Sequence, residues 1–135
     1  MRYHHAAPEL LAVQLSRDVA AANLIRSYEP GRIQIGERWL HGHLIVAPEN
    51  LIEDWRVGEP AGVTVADLEP ALALTAEIVL LGTGASLVWP EADLMSELAA
   101  CGVGLEIMST PAACRTFNVL VHEQRRVVAA LLNPP

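Results

Sequence analysis

Gly102-Val-Gly-Leu-Glu-Ile-Met-Ser-Thr-Pro-Ala-Ala-Cys-Arg-Thr-Phe-Asn118 is the stretch whose reading decides the fold. Val103 to Met108 reads as a short buried strand. Thr110-Pro111 then sets a capping hydroxyl ahead of a proline at the first helical position, where the missing N–H is no loss. From Pro111 to Glu123, Ala113, Phe117, Leu120 and Val121 share one helical face. A buried strand running straight into an amphipathic helix is the building unit of α/β layering.

The same alternation extends in both directions. Ile78-Val-Leu-Leu81 is apolar without a break, as a strand covered on both faces is. Pro90 to Ala100 reads as a helix with Pro90 near its first turn and Gly102 past its end. Leu68, Ala71, Leu72 and Thr75 mark an earlier helix. Thr64-x-x-Asp67 resembles its capping box, but Pro70 argues for a start nearer Asp67. Arg125 to Leu132 closes as a final strand. The spacing predicts buried strands at 77–81, 103–108 and 126–132, layered with helices.

The N-terminal half has a different texture. Leu24–Tyr28 and Arg32–Gly36 flank Glu29-Pro-Gly31, a hairpin signal, and Trp39–Ala47 reads as a third strand stopped by Pro48. These antiparallel strands are expected to extend the main sheet or fold against its edge. Residues 1–23 fit an extended arm or edge strand as readily as a short helix. The chain therefore reads as a single domain, residues 1–135, of the α/β class.

Composition narrows the partners. The chain is 52% hydrophobic but only 4% aromatic, so the core must be aliphatic. No apolar run approaches the roughly 18 residues of a membrane span, and membrane insertion is not expected. Nine basic residues face sixteen acidic ones, for a net charge of -7, and every basic residue is an arginine. An acidic, lysine-free chain does not suit a nucleic-acid backbone. It also lacks the lysine of Schiff-base enzymes, phosphate-binding loops and Ser-Lys dyads. Met1-Arg-Tyr-His-His-Ala-Ala-Pro-Glu9 shows no apolar signal core, and Glu9 and Asp18 argue against a transit peptide. Cys101 and Cys114 are thus expected as reduced thiols in the cytoplasm.

Several residues invite chemistry. Gly82-Thr-Gly84 follows a buried strand, but the third glycine of a dinucleotide fingerprint is missing and Glu106 sits mid-strand. A tight turn is the better reading. The helix at Pro111 has no acid in its first turn, whereas Glu91 and Asp93 serve the helix at Pro90. Exposed N–H groups beside Arg115 would suit an anion or a partner's carboxylate; alternatively, Arg115 pairs with an acid of this chain. Cys114 in that first turn could be activated as a nucleophile, or be simply buried. His41-x-His43 suggests two imidazoles on one side of a strand but offers no third ligand. Trp55, between elements, either packs over the sheet or anchors a partner.

The binding residues expected from this reading are Gly82, Thr83, Gly84, Thr110, Ala112, Ala113, Cys114 and Arg115. No catalytic residue, metal or cofactor is assigned. The Tyr28-Glu-Pro-Gly31, Leu80-Leu-Gly-Thr-Gly84 and Gly104-x-Glu-x-Met-x-Thr-x-Ala-Ala-Cys-Arg-Thr-Phe-Asn118 motifs resemble a family of small bacterial and archaeal proteins related to the mitochondrial complex I assembly factor 3. The match runs from about Asn23 to Leu132. The resemblance implies a three-layer α/β/α fold with a mixed central sheet and an added N-terminal antiparallel β region. It implies no reaction, and suggests an assembly or protein-interaction role. Two functions follow as expectations: a non-catalytic cytoplasmic module for a protein partner, or a small-anion or metabolite binder, or minor enzyme, using the same pocket.

Overall fold

The structure, a computed structural model, describes residues 22–135; the arm expected at the N-terminus and His4-His5 lie outside the described residues. Eight strands are present: β1 (Ile25–Glu29), β2 (Arg32–Ile35), β3 (Arg38–His41), β4 (Leu44–Val46), β5 (Leu51–Ile52), β6 (Ile78–Thr83), β7 (Gly104–Met108) and β8 (Val127–Leu132). The α-helices are α1 (Val65–Leu72), α2 (Leu94–Ala99) and α3 (Thr110–His122). The central sheet runs β5-β4-β8-β6-β7. β6 is parallel to both β7 and β8, while β4 is antiparallel to β5 and β8. The mixed central sheet is therefore present.

Side-chain alternation sends the two strand faces into separate cores. Val79 and Leu81 of β6, with Val128, Ala130 and Leu132 of β8, meet Leu68 and Ala71 of α1 and Leu94 and Leu98 of α2. Leu80, Val127, Ala129 and Leu131 point the other way, onto Ala113, Phe117 and Val121 of α3. That second core also takes Ile33, Ile35 and Leu40 from the N-terminal strands. All six residues of β8 are buried, which is why its sequence shows no alternation.

Four features of the fold differ from what the sequence predicts. The third strand expected over 39–47 is two strands in two sheets. Gly42, at φ +78, breaks it, and its N–H donates to the Gly31 carbonyl at 2.9 Å. β1–β3 consequently form their own antiparallel sheet, which shares a core with α3 over one face of the central sheet, while β4 joins the central sheet itself. The outer layer on that face is half helix and half sheet.

Helix α1 starts at Val65, not Asp67. Asp67 Oδ2 accepts from the Thr64 N–H at 2.9 Å and holds the start in place. Pro70 lies inside the helix on its exposed side, and the helix ends two residues later. Helix α2 begins at Leu94 behind Asp93, whose side chain accepts from Ser96 N, so Pro90 and Glu91 belong to the preceding connection. Finally, Ser109 rather than Thr110 caps α3.

Candidate functional site

Thr110 is buried because it joins three strand ends. Its Oγ1 accepts from Gly84 N at 2.8 Å and donates to the Leu132 carbonyl at 2.5 Å. Its own N–H donates to the Gly84 carbonyl at 2.7 Å. Gly82 is the other half of this junction. A Cβ there would lie 2.8 Å from Thr110 Oγ1 and 3.0 Å from Leu131 Cδ2, so only glycine lets α3 sit this close to β6. Thr83 Oγ1 accepts from Val88 N at 3.0 Å and donates to the Ser86 carbonyl at 2.8 Å, which fixes the turn after β6.

The start of α3 is also closed internally. Ser109 Oγ accepts from Ala112 N, Ser109 O accepts from Ala113 N, Thr110 N is taken by Gly84, and Pro111 has no N–H. The expectation of exposed N–H groups at this end is corrected: the cap and the β6 turn satisfy them. Gly82, Thr83, Gly84, Thr110, Ala113 and Cys114 are buried, and only Ala112 and Arg115 reach the surface.

What does open to the surface lies one turn further along the helix. A cleft of about 280 Å³ separates α3 from β1, lined by Arg26, Ser27, Tyr28, Cys114, Arg115 and Asn118, among others. Asn118 lines it and ties its two walls together. The Asn118 side chain accepts from Ile25 N at 2.9 Å and donates to Ile25 O at 2.7 Å, binding helix to strand with a pair of hydrogen bonds. Arg26 and Arg115 are both exposed. Arg32, Arg38, Arg56 and Arg125 are paired with Glu29, Glu53, Asp54 and Glu77 respectively. Among the described residues, that leaves Arg26, Arg115 and Arg126 without ion pairs, and two of the three line this one cleft. Glu106, the internal acid nearest in the motif, is exposed and makes no ion pair with Arg115.

Cys114 lines the cleft but is itself buried. Burial pushes its thiol up to about 12, outweighing the lowering effect of Arg115. That shift runs against the activation expected of a thiol at a helix start. Burial, with Cys114 adding to it, also raises the Tyr28 phenol above its ordinary range. Cys101 and Cys114 are both free, the first exposed and the second buried.

The remaining candidates separate cleanly. His41 is exposed at the end of β3, whereas His43 is partly buried and its Nδ1 accepts from Asn133 N at 2.7 Å. Burial lowers the His43 pKa. Among the described residues no group of three His, Cys, Asp or Glu side chains is placed to hold a metal. Trp55 packs into the core and donates from Nε1 to the Asp67 carbonyl at 2.9 Å. Trp39 stacks under the Arg32 guanidinium at 4.1 Å. Arg26 was missed in the sequence because nothing local marks it; β1 and α3 meet across about ninety residues of chain.

A mixed five-stranded sheet, with helices on one face and a helix plus a small antiparallel sheet on the other, defines an α/β domain with a cationic cleft between that helix and β1. The chain belongs to the family described as Protein of unknown function (DUF498/DUF598), whose model matches residues 25–132. It is 33% identical to NADH dehydrogenase (ubiquinone) 1 alpha subcomplex assembly factor 3 of Danio rerio, over 90% of this chain and 70% of that protein. It is 28% identical to a Francisella tularensis protein named 13 kDa major membrane protein, over 84% and 94% of the two chains. A solved structure from Bordetella parapertussis matches with a TM-score of 0.76 and 38% identity, covering 84% of this chain and 97% of that one. Among the described residues, no helix is long and apolar enough to cross a membrane.

Proposed function

We propose that this chain is a non-catalytic, cytoplasmic protein-binding module with an assembly-factor-like role, and that Arg26 and Arg115 hold a carboxylate-bearing segment of its partner. The observation that carries the reading is the placement of two guanidiniums without ion pairs on one cleft, in a chain of net charge -7 whose other cations, among the described residues, are mostly paired. An acidic segment entering there would meet two charge-assisted donors, with the Tyr28 and Ser27 side chains beside them. The assembly-factor relative supports a protein as the occupant. Gly82, Thr83, Gly84, Thr110 and Ala113 serve this site from behind, by fixing α3 against the sheet. Ala112 and Cys114 shape its wall. The high pKa of Cys114 weighs against a reaction, and the two free thiols support a reducing compartment.

The competing reading places a small anion or metabolite in the same cleft. Native capture with the wild-type chain and with an Arg26→Ala/Arg115→Ala double variant separates them. A stoichiometric protein present with the first and depleted at least about tenfold with the second is the expected result. Recovery of an anionic metabolite without protein would transfer the site to the second reading. Equal capture by both chains would remove the cleft from the function altogether.

A further inference from the structure

The connection from β6 to α2 carries large apolar side chains that the fold does not use. Leu87 is 48% exposed, Trp89 60%, and Met95 in the first turn of α2 48%. Loops that are loosely held often leave side chains outside, but this one is tied at both ends. Val88 N is held by Thr83 Oγ1 at 3.0 Å, and Glu91 N donates to the Ala61 carbonyl at 2.8 Å. The backbone is fixed while Leu87 and Trp89 face solvent. Trp55 in the same chain, by contrast, is 5% exposed with its indole N–H satisfied. An exposed tryptophan on a fixed loop is the side chain best suited to anchor a protein contact.

The charges around it select the occupant. Glu91, Asp93 and Glu97 are all exposed within the same segment, and none forms an ion pair among the described residues. A second copy docking the same patch face to face would bring like charges together, as would an anionic lipid surface. We infer that the exposed Leu87–Trp89 loop docks a basic amphipathic segment of a partner protein, its apolar side chains on Trp89 and its Lys or Arg side chains on the neighbouring Glu91, Asp93 and Glu97. This surface is distinct from the Arg26–Arg115 cleft, which selects the opposite charge. A module carrying both could bridge two segments at once.

The test uses the full chain and a synthetic Leu/Lys amphipathic helix as probe, with a Leu/Glu helix of equal length as control, read by calorimetric titration. The Leu/Lys peptide should bind and the Leu/Glu peptide should not. Trp89→Ala, which leaves the charge unchanged, should raise Kd by about tenfold or more, as should Glu91→Arg/Glu97→Arg. Arg26→Ala/Arg115→Ala should leave this Kd unchanged, which keeps the result separate from that for the cleft. An unchanged Kd in Trp89→Ala would overturn the inference, because it would reduce the binding to attraction between a cationic peptide and an acidic protein. So would a dimer in light scattering that Trp89→Ala dissolves, since a second copy would then be the occupant.

Discussion

The two faces of the central sheet are covered by different means. On one face, α1 and α2 are short helices held mainly by aliphatic contacts, with Leu68, Ala71, Leu94 and Leu98 fully buried and a single clamp from the Trp55 indole to the Asp67 carbonyl. On the other, α3 and the β1–β3 sheet are held by apolar contact together with side-chain-to-backbone clamps. Thr110 joins Gly84 to Leu132, and Asn118 joins α3 to Ile25. Asn133, fully buried, accepts from Gly31 N and donates to the Glu29 carbonyl, fastening the first hairpin to the end of β8. Apolar burial is non-directional and sets how strongly layers adhere; buried hydrogen bonds set their register and angle. The clamped face carries the cationic cleft, whose geometry depends on the β1–α3 spacing. The aliphatic face carries the exposed apolar loop, whose own backbone ties do that work locally.

This contrast can be broken or sharpened by experiment. The largest effects should come from cavities: Phe117→Ala on the clamped face should cost about 3–5 kcal/mol, and Leu98→Ala on the aliphatic face about 2–5 kcal/mol. Urea unfolding followed by two probes should show one shared transition in both variants. Two separated transitions would mean that the faces are independent units joined by β6 and β8.

The next effect tests the clamps. Thr110→Val keeps the shape but leaves Gly84 N and Leu132 O without their partner, and should cost about 2 kcal/mol. Thr110→Ser should recover most of it, because the hydroxyl returns. Asn118→Ala should cost about 1–2 kcal/mol and speed hydrogen exchange at the Ile25 amide while leaving α1 and α2 protected. Equal acceleration on both faces would show that Asn118 acts on global stability rather than on the β1–α3 joint.

A smaller effect should follow pH through His43. Its folded pKa lies below the ordinary 6.5, so the unfolded chain binds more protons as pH falls. The stability it contributes is full above that value and declines as pH drops through it toward the folded pKa. Protonation of Nδ1 also removes the acceptor for Asn133 N–H. Thermal midpoints from pH 7.5 down to 5.5 should fall in the wild type and fall less in His43→Gln; parallel curves would remove His43 as the cause. The smallest effect is expected at the cleft itself. Arg115→Ala should change stability by no more than about 0.5 kcal/mol, since its guanidinium has no ion pair among the described residues. A larger loss in chemical denaturation would make Arg115 part of the clamped face.

The elements were largely legible. Unbroken apolar runs marked β6 and β8, and helical periodicity marked α3, because burial on two faces or one leaves a direct trace in local sequence. The candidate site was legible only in part. Arg115 stood out against its acid-free helix start, but Arg26, which completes the cleft, and Trp89, which leaves the core, carry no local mark. Thr110 looked like a cap because Thr-Pro usually is one. Its buried role depends on Gly84 and Leu132, which are 26 and 22 residues away.

By itself the sequence determined the class of fold, the strand and helix order of the second half, and an acidic, lysine-free chain. Those properties are sums over neighbouring residues: periodicity, composition and charge. Only the tertiary structure decided that Gly42 divides one apolar run between two sheets, that Thr110 joins Gly84 to Leu132, and that Arg26 joins Arg115. Each of these is a choice of hydrogen-bond or packing partner from distant chain, and such choices exist only once the layers have come together.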